Sequence, residues 1–81
     1  MDLHSIKTIC NGYMNKRKGY TAEIDDYKKE NGDITFEVRI LKNGVFRASE
    51  PMKIITSGLT AESQLRSQIE RFSALVENNR I

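Results

Sequence analysis

With one cysteine, one histidine, one proline and no tryptophan, the 81-residue chain has few groups from which to build a reaction centre. Cys10 has no second cysteine to pair with, so no disulfide can form within the chain and a reducing compartment is expected. No apolar run approaches the roughly 18 residues that a membrane-spanning helix needs. The start, Met1-Asp2-Leu3-His4-Ser5, has neither the basic cluster nor the apolar stretch of a signal peptide. A cytoplasmic location without membrane contact is the expectation. His4 and Cys10 are six positions apart and point in different directions on a helix, so they form no nucleophile–base pair. Cys10 reads as a small buried hydrophobe. One histidine, one thiol and scattered carboxylates match no metal spacing, and Asp25 and Asp26 alternate across a strand. The glycines at 12, 19, 32, 44 and 58 are isolated, so no phosphate-cradling loop is present. No catalytic residue, metal, cofactor or small-molecule substrate is expected, and the chain reads as not an enzyme.

A hydrophobic fraction of 38% with 30% charged residues is too apolar for a disordered chain and suits one globular domain spanning 1–81. A domain of this size buries only about 60–65% of the surface its unfolded chain exposes, so modest stability and self-association are both in view. The net charge of +2 is unevenly spread: residues 1–20 carry Lys7, Lys16, Arg17 and Lys18 against Asp2 alone. So weak a field gives little long-range steering toward nucleic acid.

Hydrophobic period organises the chain. Leu3, Ile6, Ile9, Cys10 and Tyr13 fall at helical spacing, predicting a short helix over 2–14 that frays before the polar loop Asn15-Lys16-Arg17-Lys18-Gly19. Alternation then takes over. Tyr20, Ala22 and Ile24 form one apolar row, Ile34, Phe36, Val38 and Ile40 a second, and Phe46 and Ala48 a third. Asn31-Gly32 and Asn43-Gly44 mark the hairpin turns between them. Keeping all apolar residues on one face calls for three-residue loops with a left-handed glycine. Glu30-Asn31-Gly32 then pairs Ile24 with Val38 and Ala22 with Ile40, and Lys42-Asn43-Gly44 pairs Ile40 with Phe46 and Val38 with Ala48. Pro51 is expected to interrupt pairing, leaving Met52-Lys53-Ile54-Ile55-Thr56 as a kinked continuation or a fourth, edge strand. After Ser57-Gly58 the helical period returns, with Ala61, Leu65, Ile69, Phe72 and Val76 on one stripe. Thr60 reads as its N-cap, and Asn78-Asn79 suit its end. The predicted fold is α+β: a short N-terminal helix, a three- or four-stranded antiparallel meander, and a long C-terminal amphipathic helix on one sheet face.

Two surfaces remain as candidates. The uncovered sheet face should carry Glu23, Asp25, Glu37, Arg39 and Arg47, with Leu41 and Val45 as an apolar spot at one end. Glu23, Glu37, Arg39 and Arg47 are the candidate partner-binding residues, since a mixed-charge face suits a protein partner and arginine is favoured at interfaces. The sheet edges offer strand addition, to another protein or to a second copy. The alternative is nucleic-acid binding by Tyr13, Lys16, Arg17, Lys18 and Tyr20, where a basic run is interleaved with aromatics. The element order is also that of double-stranded-RNA-binding domains. Those hold phosphates with lysines at the start of the last helix, where this chain has Thr60-Ala61-Glu62-Ser63-Gln64. An RRM-like sheet would need exposed aromatics where mixed charges are expected. Small domains without a catalytic constellation often regulate or inhibit larger machines, and phage and mobile-element proteins are frequently this size. The expected function is therefore a non-catalytic regulator or inhibitor acting through protein binding.

Overall fold

A computed structural model describes residues 1–55 and 60–78. The elements run in the order α1 (Leu3–Met14), β1 (Tyr20–Glu30), β2 (Asp33–Lys42), β3 (Val45–Ile54) and α2 (Ala61–Asn78). The strands form one antiparallel sheet in the order β1-β2-β3, with both helices on the same face. This is the expected α+β architecture.

Each helix starts at an oxygen that takes up a free backbone N–H. Asp2 caps α1, its carboxylate accepting from the Ser5 N–H at 2.8 Å, and the hydrogen bond holds its pKa below the usual carboxylate value. Thr60 caps α2 through the Ser63 N–H at 3.3 Å. Ile6, Cys10 and Met14 line the buried side of α1; Leu65, Ile69, Phe72 and Val76 line that of α2. Between them and the sheet lie Ala22, Ile34, Phe36, Val38, Ile40, Met52 and Ile54, completing one continuous core. Burial pushes the Cys10 thiol up to about 12, so at neutral pH it is an unreactive thiol.

The hairpins depart from the expected loops in one consistent way. Both are closed by two-residue turns, Asn31-Gly32 (φ 53° and 86°) and Asn43-Gly44 (φ 52° and 81°). Positive φ at both central positions gives the twist that suits flanking strands, and Asn-Gly adopts it most readily. The extra residue expected in each loop sits inside a strand instead, as a bulge. In β1 it falls between Asp25 and Lys28, with Asp26 left-handed at φ 54°. The expected pairs Ala22–Ile40 and Ile24–Val38 are therefore present although their turn is shorter. The bulge also brings Tyr27 against the core, its hydroxyl donating to the Met1 carbonyl at 3.4 Å.

In β3 the bulge corrects the register. Leu41 pairs with Phe46 and Ile40 with Ala48, which leaves Arg47 as the extra residue. The expected pairs Ile40–Phe46 and Val38–Ala48 do not form; Val38 lies opposite Glu50. Phe46 turns over to the open face, 50% exposed, while Val45 pairs with Lys42 on the helix side of the sheet tip. Pro51 does not interrupt pairing either. It sits opposite Glu37, and β3 runs on to Ile54, so no separate fourth strand forms there. Thr56, Ser57-Gly58 and Asn79 lie outside the described residues.

The loop between α1 and β1 is tied at both ends. The Asn43 N–H donates to the Gly19 carbonyl at 2.8 Å, and a side chain at Gly19 (φ 86°) would collide with the Asn43 amide. Arg17 forms an ion pair with Glu77, joining the loop to the end of α2.

Candidate partner-binding face

The open face is built by the odd-numbered residues of β2 and their partners, because successive side chains alternate across a strand. Four rows cross it. Nearest the Asn43-Gly44 turn stand Thr21, Leu41 and Phe46; then Glu23, Arg39 and Ser49; then Asp25, Glu37 and Pro51; then Lys28, Thr35 and Lys53. Arg39 joins the first three rows. Its guanidinium donates to Asp25 at 3.2 Å and lies over the Phe46 ring, 5.0 Å from the centroid. A groove of about 680 Å³ crosses the last two rows, lined by Asp26, Lys28, Thr35, Glu37, Pro51 and Lys53 and reaching Gln68 at the β3 edge.

Of the four residues expected to bind a partner, Glu23, Glu37 and Arg39 lie on this face as anticipated. Arg47 does not join the cluster. The bulge makes it the unpaired, exposed residue of β3, and Phe46 takes the place beside Arg39. Phe46 was hidden from a reading that assigned it to the core, Lys28 from one that set it opposite Ile34 on the covered face, and Lys53 because the register beyond Pro51 had no assignment. Searches find no family model, no curated protein and no solved structure that matches this chain.

Helix side chains hold each edge of the sheet at particular positions. On β3, the Gln68 amide accepts from the Lys53 N–H at 3.2 Å and donates to the Lys53 carbonyl at 2.8 Å. Gln64 does the same at Ile55, at 2.9 and 2.8 Å. Two residues before Lys53, Pro51 faces the same outward way and has no N–H to leave unpaired, which is why the strand tolerates it. On β1, Asn11 accepts from the Ala22 N–H at 2.9 Å and donates to its carbonyl at 3.0 Å. Each primary amide thus stands in for one residue of a neighbouring strand. These are the positions that strand addition would require.

The residues of the alternative, nucleic-acid reading are partly engaged with one another and with neighbours. Lys16 covers the Tyr13 ring at 4.9 Å, Lys42 lies over Tyr20 at 5.5 Å, and Arg17 is engaged with Glu77. Lys18 is exposed. Beside Tyr13 and Lys16 a 270 Å³ hollow also admits Arg66, whose pKa is raised by its hydrogen bond to Glu62 and then by Tyr13. Among the described residues no group of three or more His, Cys, Asp or Glu side chains gathers where a metal could bind, and no helix is long and apolar enough to cross a membrane.

Proposed function

We propose that the chain is a non-catalytic interaction module, a regulator or inhibitor that binds a partner protein through its open sheet face. The observation that carries this reading is Phe46, half exposed on that face beneath the Arg39 guanidinium and opposite Leu41. Aromatic residues and arginine are enriched at protein interfaces, because a ring covers a large area with few rotatable bonds and a guanidinium offers five donors in a fixed fork. The amides seated on both edges favour docking on the face over strand addition.

Affinity capture from nuclease-treated lysate tests this. Phe46→Ala and Arg39→Glu should each lower capture about tenfold or more, as expected for anchor residues, with the circular dichroism spectrum unchanged. The triple variant Lys16→Ala, Arg17→Ala, Lys18→Ala should capture as well as the wild type. Loss of capture in that triple variant, or upon nuclease treatment, would transfer the function to the α1–β1 loop and to nucleic acid.

A further inference from the structure

We infer that the open face docks against a second copy of the chain, face to face about a two-fold axis, through the rows from Arg39 to the Asn31-Gly32 turn; this goes beyond the proposed function, whose anchor Phe46 stands in the first row, outside the contact. The last two rows are opposite in sign. Asp25 and Glu37 stand in one, Lys28 and Lys53 in the next, about 7 Å along the strands. A partner of one sign, such as a nucleic acid or an anionic membrane, meets a repelling row in any register. A partner with the same alternation reversed is attracted at both rows. A two-fold axis along the rows, between Thr35 and Glu37, generates that partner from this chain, because it reverses row order while turning the face over.

Shape agrees with charge in this arrangement. Glu37 of one copy faces the short Thr35 of the other, between its Lys28 and Lys53. Asp25 meets Lys28, and the Lys53 stem lies over the flat Pro51. Arg39, in the following row, reaches Asp33 of the second copy. Glu23 with Glu30, and Asp26 with its own copy beside the axis, are the like-signed pairs, and all are exposed along β1, where water screens them. The groove across these rows supplies the recess that the opposing long side chains fill. Contacts made largely by charges give a dimer that weakens by about tenfold or more as salt is raised well above physiological strength.

Sedimentation velocity over a wide concentration range at low salt tests this with two charge-reversed variants. Asp25→Lys with Glu37→Lys makes both rows basic; Lys28→Glu with Lys53→Glu makes both acidic. Asp25, Lys28 and Lys53 are exposed and Glu37 is half-buried on the open face, so circular dichroism should show both variants folded. The wild type should dimerise, each variant alone should be monomeric, and an equimolar mixture of the two should form a heterodimer. A wild type that stays monomeric at every concentration overturns the inference, as does a dimer that survives both reversals. A monomeric wild type would leave the face free for a different protein, whereas the proposed function falls separately if Arg39→Glu and Phe46→Ala retain capture.

Discussion

Replacing Ile40 with alanine should destabilise the domain by about 3–4 kcal/mol, the middle of the range of about 2–5 kcal/mol for truncating a buried isoleucine. Ile40 is fully buried in the central strand, and its neighbours across both strands are alanines, Ala22 and Ala48. The row is small–large–small, so one branched side chain fills the space that three would otherwise share. Neither alanine can reach into the vacancy, and β2 is held on both sides and cannot move inward. A chain of this length has roughly 4–12 kcal/mol of total stability, so the loss is a large fraction of it. Thermal unfolding should show a fall in Tm of about 15–25 °C. A loss under about 1 kcal/mol would mean that the core around Ile40 is not packed as described.

The second large effect concerns the β3 edge. Changing Gln64 and Gln68 together to alanine removes all four hydrogen bonds to the Lys53 and Ile55 backbone. Water can replace them at this exposed rim, so the direct cost is about 2–4 kcal/mol, near 1 kcal/mol per bond. The larger consequence is a newly open template. Lys53 and Ile55 then present unpaired outward-facing backbone groups beside apolar side chains, and edge-to-edge association should follow. Light scattering should detect concentration-dependent assembly of the double variant that is insensitive to salt, unlike a charge-driven dimer. A double variant no less stable and no more associative than the wild type would show that these amides do not hold the edge.

Much of this fold is legible in the sequence because apolar residues repeat with two distinct periods. The stripe Leu65, Ile69, Phe72 and Val76 specified α2, and the alternation through Ile34 to Ile40 specified β2 and the face it buries. The same pattern is blind to where an extra residue resides. Asn-Gly prefers a two-residue turn, the apolar rows demand one residue more, and a bulge within the strand satisfies both. In β1 this left the pairs from Tyr20 to Asp25 as expected and shifted those from Lys28 to Glu30 by one residue, which turns Lys28 to the open face. In β3 it inverted Phe46, and with it the composition of the open face. The signal that could have shown this is Pro51: accepted on an edge strand, it allows Met52 and Ile54 to pair with Phe36 and Ile34, which forces Ala48 opposite Ile40. The edge amides left no such signal. Asn11 reads as a residue that weakens a helix, and Gln64 and Gln68 as ordinary polar positions beside an apolar stripe, because their role depends on how each helix sits against the sheet.

Blocking the open face with a bulky label tests most directly whether it is the binding surface. Ser49 stands beside Arg39 on that face, and Ser67 is exposed on α2. Single variants Ser49→Cys and Ser67→Cys can be labelled with a large maleimide while Cys10, fully buried with its thiol pushed up to about 12, stays unmodified. The label at position 49 should abolish capture of the partner protein, and the same label at position 67 should leave it intact. Capture that survives at 49 and is lost at 67 would place the interface on the helices and contradict the assignment of the sheet face.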